Sequence, residues 1–192
     1  DMDGDGKPDI VTANNTSNSI SILFNDGSRT FKTATQIGVI QSPQALAIGD
    51  MNGDGNQDIV VGGDKLMVLL GNGSGIFQAG TTYNPQYEGT AIALADINGD
   101  GKLDVVGVES ADSELWALLG SSAGKLDDTC PSSTSCDIKE ISIPNGAASL
   151  MMLDVNGDGY PDAVVSYSTD TVVSVFEATT AGNFLQRADF NT

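Results

Sequence analysis

Four copies of one nine-residue pattern, Asp-x-Asx-Gly-Asp-Gly-x-x-Asp, recur along the 192-residue chain. Their starts lie 49, 46 and 58 residues apart. Self-similarity at a period of about 20–50 residues is the sequence signature of a repeat architecture. The copies occupy residues 1–9, 50–58, 96–104 and 154–162. We therefore divide the single domain into four repeats, at approximately residues 1–40, 41–85, 86–143 and 144–192.

Short apolar runs surround each copy of the pattern. Around the second copy, residues 45–48 precede it, residues 59–61 follow it, and a further run at 65–70 comes after a turn. A shorter segment then begins at Phe77. Runs of this length, bounded by glycine and polar residues, are typical of buried strands, and none reads as a long amphipathic helix. Four antiparallel strands per repeat predict an all-β fold of β-propeller blades.

The number of blades follows from the same arithmetic. Because the sequence begins inside the first copy, we expect three strands in the first blade and four in each of the others. About four blades are few for a closed ring. We therefore expect the chain to be part of a larger propeller or repeat array.

The acidic pattern itself predicts a calcium site. Positions 1, 3 and 5 offer side-chain oxygens, position 7 a backbone carbonyl, and position 9 a carboxylate that can bind through both oxygens. Calcium takes several hard oxygen ligands of this kind, whereas magnesium prefers a smaller octahedral shell with more water. We expect up to four Ca²⁺ ions, one per loop. The predicted ligands are Asp1, Asp3, Asp5, Lys7 and Asp9; Asp50, Asn52, Asp54, Asn56 and Asp58; Asp96, Asn98, Asp100, Lys102 and Asp104; and Asp154, Asn156, Asp158, Tyr160 and Asp162.

Two alternatives to this interpretation are weaker. An EF-hand shares the first six positions but needs flanking helices and a bidentate Glu at position 12. Position 12 is instead occupied by Thr12, Val61, Gly107 and Val165. A plain acidic turn that binds nothing is a reasonable explanation for one such loop, but not for four in register.

Loops of this sequence, placed between two strands, resemble the FG-GAP and VCBS-type repeats of integrin-α-like β-propellers. The resemblance covers essentially the whole chain. It implies one structural Ca²⁺ between the first and second strands of each blade. Repeat three departs from the others, because Leu126 stands where they carry Phe and an insertion follows. Loop one also departs, because Asp3 stands where the other copies carry Asn.

Composition excludes several classes of function. The chain has no histidine, so it has neither a Ser-His-Asp triad nor a zinc site built on imidazole. A formal charge of −18 argues against nucleic acid, whose phosphates require Lys and Arg. No apolar run is long enough for membrane insertion. Of 21 aspartates, 13 lie in the four loops and the rest show no pairing suited to glycoside hydrolysis. We expect no catalytic activity.

Two cysteines, Cys130 and Cys136, bracket a polar segment in the insertion of repeat three. Their proximity in an exported-looking protein predicts a disulfide, with two free thiols as the alternative.

The leading hypothesis is an extracellular, secreted or cell-surface, calcium-stabilised propeller module for adhesion, which binds a protein or glycan. The second hypothesis is a non-catalytic propeller part of a larger secreted enzyme. A third is a structural subunit of a surface assembly or filament, in which open propeller edges associate with one another. Fold alone does not identify the ligand.

Overall fold

The computed structural model describes residues 1–83, 88–111, 113–126, 141–179 and 182–191. The predicted disulfide between Cys130 and Cys136 lies outside these residues. Within them the chain forms fifteen strands and one three-residue 3-10 helix, Asn15–Ser17. No described helix is long and apolar enough to cross a membrane.

The strands form four antiparallel sheets in chain order. Sheet one contains β1 (Ile10–Asn14), β2 (Ser19–Leu23) and β3 (Thr35–Gly38). Sheet two contains β4 (Ala45–Gly49), β5 (Asp58–Gly62), β6 (Leu66–Leu69) and β7 (Thr81–Tyr83). Sheet three contains β8 (Ala91–Ala95), β9 (Asp104–Glu109), β10 (Glu114–Leu118) and β11 (Ile141–Ser142). Sheet four contains β12 (Ala147–Leu153), β13 (Asp162–Tyr167), β14 (Val172–Ala178) and β15 (Phe184–Asn191). The predicted all-β fold, with three strands in the first sheet and four in each other sheet, is confirmed.

Each sheet is a meander in which every strand pairs with its neighbour in sequence. The first strands of adjacent four-stranded sheets also contact one another, β4 with β8 and β8 with β12. This strand order places the acidic patterns at one end of the sheets. Each pattern leads directly into one strand: β1, β5, β9 or β13. We call residues 1–9, 50–58, 96–104 and 154–162 loops one to four.

Three hydrophobic cores lie between consecutive sheets. The first joins Ile20 and Ile22 of sheet one to Ile59 and Val61 of sheet two. The other two join sheets two and three, and sheets three and four, in the same way. Strands β5 and β9 are buried along their whole length. Residues on both faces of a central strand are therefore apolar, which explains why its sequence is a continuous apolar run instead of an alternating one.

Trp116 fills the core between sheets two and three and has no exposed surface. Its ring lies against Gly107, its cross-strand partner on β9, where any Cβ would collide with the indole. The indole N–H donates to the carbonyl of Glu88 at 3.3 Å. The large ring and the glycine are therefore complementary, which accounts for glycine where Val61 and Val165 stand in sheets two and four.

The last strands of sheets one and two begin later than the apolar residue that follows the preceding turn. Phe31, Phe77 and Leu126 each form a single bridge, with Asn25, Gly71 and Gly120 respectively. The continuous strand begins several residues further on in sheets one and two. In sheet four, by contrast, the strand starts at Phe184, the aromatic residue after the turn. In sheets one and two the bridging phenylalanine closes a tight turn, and the chain then leaves the ladder before pairing again.

Candidate metal centre

The four acidic loops have the same backbone course. In loop two, Gly53 and Gly55 adopt φ of 75° and 86°, a left-handed conformation that glycine accepts without a steric penalty. The equivalent glycines of the other three loops have similar values. These two reversals turn the chain around the first carboxylate of the loop.

That first carboxylate accepts backbone N–H groups from the residues that curl around it. Asp50 Oδ1 accepts from Gly53 at 2.7 Å and from Asp54 at 3.1 Å, and its Oδ2 accepts from Gly55 at 2.8 Å. Asp1, Asp96 and Asp154 accept the equivalent three N–H groups in their own loops. The hydrogen bond from Gly159 contributes most to holding the pKa of Asp154 below its ordinary value.

The carboxylate at position 5 is oriented by hydrogen bonds from the residue at position 7. Asp54 Oδ1 accepts the N–H of Asn56 at 2.8 Å, and this bond lowers the pKa of Asp54. In loops one and three, position 7 is a lysine that pairs with this carboxylate: Lys102 Nζ lies 2.8 Å from Asp100 Oδ2. The lysine hydrogen bond lowers the pKa of Asp100. The sequence prediction used position 7 only for its carbonyl, although a lysine two residues after an aspartate is itself a signal for this pairing.

The carboxylate at position 9 lies in the interior. Asp58, Asp104 and Asp162 have no exposed surface. Asp104 Oδ2 accepts the N–H of Ile97 at 2.9 Å and its Oδ1 that of Gly120 at 2.7 Å. Burial raises the pKa of Asp104 to about 6, and burial also raises that of Asp58. Burial makes the charged form of such a carboxylate unfavourable. A cation bound nearby would stabilise that charged form.

Loop one brings three carboxylates together. One oxygen each of Asp1, Asp3 and Asp9 lies within 4.8 Å of the others. Oxygens bound to one Ca²⁺ at about 2.3–2.6 Å are at most about 5 Å apart, so this group fits a single ion. The Oδ1 atom of Asp3 is buried and has no hydrogen-bond partner. An orphaned acceptor among converging carboxylates is what a bound cation would satisfy, so these residues fit calcium. Asp5 is not part of the converging group, and its carboxylate pairs with Lys7.

Loops one to three are covered by the following sheet. The covering turn of a sheet connects its last two strands and spans residues 71–77 in sheet two and 120–126 in sheet three. In sheet four its described part is 178–179 and 182–184. A Cβ added to Gly75 would lie 3.4 Å from Asp3 Cβ, one at Gly124 would lie 3.1 Å from Asn52 Cβ, and one at Gly182 would lie 3.3 Å from Asn98 Cβ. Each covering turn thus rests on the loop of the preceding sheet.

The burial of the side chain at position 2 of each loop reflects whether a covering turn lies over that loop. Met2, Met51 and Ile97 are buried, at 4%, 2% and 0% exposed, whereas Val155 in loop four is 46% exposed. Loop four is therefore the open member of the set within the part of the chain that the structure describes.

Comparison with known proteins identifies the repeat. A family model described as an FG-GAP-like repeat matches residues 1–61 and 50–107. No curated protein sequence matches the chain closely enough to inform its function.

Solved structures give information on the fold alone. A protein of unknown function from Bacteroides caccae aligns over 93% of this chain and 59% of its own length, with 17% sequence identity and a TM-score of 0.52. The Tc holotoxin pore of Photorhabdus luminescens aligns over 100% of this chain and 12% of that chain, with 14% identity. Its TM-score of 0.44 does not establish a shared fold. The chain therefore spans 59% and 12% of the lengths of these two structures.

Proposed function

Because the chain belongs to the family of FG-GAP-like repeat proteins, we propose that it is an extracellular β-propeller module whose acidic loops hold structural Ca²⁺ and which binds a protein or a glycan. The observation that carries the calcium proposal is the convergence of Asp1, Asp3 and Asp9 in loop one, where Asp3 also has a buried, unpartnered Oδ1 atom. Loops two to four repeat the same backbone course. They place a fully buried aspartate at position 9, which supports one ion in each loop.

Calcium would act here by offsetting repulsion. The carboxylates of Asp1, Asp3 and Asp9 converge in loop one, and the carboxylate at position 9 has no exposed surface in loops two to four. When bound, the ion supplies the positive charge that favours the ionised form of every ligand. Backbone N–H groups of the loop donate to the carboxylate at position 1 and fix its orientation before any ion binds. These carboxylates belong to Asp1, Asp50, Asp96 and Asp154. The role is structural and requires no chemistry at the ion.

Thermal unfolding tests the calcium proposal directly. If free calcium is about 100-fold above Kd, each occupied site adds about 2.7 kcal/mol to the free energy of unfolding. We expect Ca²⁺ to raise Tm, Mg²⁺ to do so less, and EDTA to reverse the effect. The variant D54N/D100N/D158N removes one ligand charge from each of three loops and should respond less to Ca²⁺. An unchanged melting curve in EDTA contradicts the proposal.

The extracellular location and the ligand class are parts of the same proposal. Solvent-accessible oxygen sites of this kind suit the calcium concentrations found outside cells. Propeller folds present loops from adjacent blades on one face, and such loops commonly carry binding specificity. A groove of about 330 Å³ lies between loops two and three, bordered by Asp50, Asn52, Lys102 and Ser122. A glycan array probed with and without Ca²⁺ tests carbohydrate binding, and uniform lack of binding in both conditions removes the glycan branch.

A second candidate, a structural subunit of an assembly, is favoured by the outer face of sheet four. Met151, Val155 and Phe190 are 61%, 46% and 57% exposed. Ile97, which occupies in loop three the position of Val155, is fully buried in the core between sheets three and four. Sedimentation at several concentrations tests this candidate. We expect M151E/F190E to abolish any self-association that the exposed but distant control I76E leaves intact.

A further inference from the structure

Repeat one differs from the other repeats at two positions that lie far apart in sequence. Position 3 is Asp3, whereas Asn52, Asn98 and Asn156 occupy it elsewhere. Lys32 follows the bridging Phe31, whereas Gln78 follows the bridging Phe77 of sheet two. The two residues are structurally equivalent, because Lys32 N–H donates to the Phe24 carbonyl at 2.9 Å and Gln78 N–H to the Leu70 carbonyl at 2.8 Å.

These two exceptions touch each other. Lys32 Nζ lies 3.2 Å from Asp3 Oδ2. The same ammonium lies 5.7 Å from the centre of the Phe24 ring, a cation–π geometry. Phe24 is itself buried in the core between sheets one and two. The side chain of Asp3 is 15% exposed and that of Lys32 is 54% exposed, so water screens this pair in part.

The contact changes what position 3 does in the loop. In loops two, three and four, the side-chain oxygen at position 3 accepts the N–H of position 5 at 2.8–2.9 Å. Asp3 instead directs Oδ2 to Lys32 and leaves Oδ1 buried and unpartnered, and its carboxylate converges with those of Asp1 and Asp9. The extra charge of Asp3 is thus matched by one lysine.

We propose that Lys32 is a positioning residue for a divalent cation in loop one. Its ammonium group balances the charge of Asp3, the additional carboxylate of this loop, and also repels the ion that binds there. The inference rests on the proposed function, because it concerns how loop one holds calcium. In the metal-free protein the ammonium stabilises the crowded carboxylates. In the calcium-bound protein it repels the ion. Loop one therefore binds calcium less tightly than its four carboxylates alone would allow, and its affinity is closer to that of loops two to four, which have three carboxylates each.

The variant K32Q separates these two effects because they have opposite signs. Removing one positive charge a few ångströms from a divalent ion at a partly exposed site should tighten loop-one binding about three- to ten-fold. The same change should lower Tm in EDTA, since Asp3 loses its counter-ion. A lysine that served only packing would lower Tm without tightening calcium binding.

Loop one can be followed on its own in the complete chain by NMR. The amides of Gly4 and Gly6 donate to Asp1 and report on this loop, while those of Gly53 and Gly55 report on loop two. A Ca²⁺ titration of wild type and K32Q should show a tighter midpoint for Gly4 and Gly6 only. The matched control K65Q removes an exposed lysine from sheet two and should leave both midpoints unchanged.

A double-mutant cycle with Asp3 closes the test. D3N should weaken loop-one binding and reduce the effect of K32Q, because Asp3 no longer holds the ammonium group beside the ion. N52D/Q78K should build the same pair in loop two. Equal Gly4 and Gly6 midpoints in wild type and K32Q would overturn the role of Lys32 while leaving calcium binding intact. Absence of any shift at all four glycines in the wild type would overturn the proposed function as well.

Discussion

The backbone N–H of Gly75 donates to the carbonyl of Met2 at 2.9 Å and so ties the covering turn of sheet two to loop one. Gly75 has φ of 74°, and a Cβ on it would lie 2.6 Å from the Phe24 ring. Glycine therefore serves two needs at this position, a left-handed backbone and a close approach between neighbouring sheets.

Replacing Gly75 should show both needs as a loss of stability. We expect G75A to lower the free energy of unfolding by about 2–4 kcal/mol, measured by urea denaturation in EDTA. The control is G53A, because Gly53 has nearly the same φ, 75°, but nothing within 4 Å of an added Cβ. G53A should therefore lose only the backbone part, about 1 kcal/mol. Equal losses in the two variants would mean that the contact with Phe24 contributes nothing.

Position 2 of the loops should contribute to stability according to its cover. Ile97 is fully buried against sheet four, so we expect I97A to cost about 2–4 kcal/mol. Val155 occupies the same position in loop four but is 46% exposed, so V155A should cost less than about 0.5 kcal/mol. Chemical denaturation of both variants measures the difference. A comparable cost for V155A would show that another chain covers this face in solution.

The buried position-9 aspartates should be needed for their hydrogen bonds even without metal. Asp58 accepts the N–H groups of Met51 and Gly71, each at 2.8 Å. D58A would leave two buried donors unsatisfied, and we expect it to cost about 2–5 kcal/mol in EDTA. D64A serves as the control, because Asp64 already has a buried, unpartnered Oδ1 atom. Thermal melts in EDTA distinguish the two, and a neutral D58A would contradict this role.

Metal-stripped protein should become more stable on mild acidification. The folded-state pKa of Asp104 is raised from 3.8 to about 6 by burial. Its stabilising contribution is therefore fully present below the unfolded-state pKa and is lost as the pH rises through about 6. Lowering the pH from 7 to 5 should add about 1 kcal/mol through Asp104 alone. The measurement is Tm against pH, and D104N should remove this part of the rise. Saturating Ca²⁺ should reverse the trend, because the ion binds the ionised carboxylate.

The fold was largely predictable because its signals are local and repeated. Residues 59–61 are apolar in every position and β5 is buried along its length, so a short run was enough to identify a central strand. The start of the last strand was less predictable. Phe77 and Phe184 follow similar turns, yet only Phe184 begins a continuous ladder. That difference depends on pairing partners further along the chain, which a single repeat does not reveal.

The candidate site, like the fold, was predictable only in part. The ligand pattern and the curling glycines could be predicted, because they depend on spacing within nine residues. The pairing of Lys32 with Asp3 joins residues 29 positions apart, and the cover of Asn52 by Gly124 joins two sheets. Neither contact leaves a mark on the local pattern. The first contact corresponds in the sequence to two separate positions at which one repeat departs from the others, whereas the second has no such signal.

The cover of loops one to three by the following sheets also bears on how the molecule unfolds. A sequence repeat ends where its strands end, but each of these loops is completed by a turn that belongs to the next repeat. In linear arrays, stability is a sum of terms within units and terms between neighbours. An ion held in loop one, two or three would therefore add to a term between neighbours, so its loss would uncouple two sheets instead of loosening one.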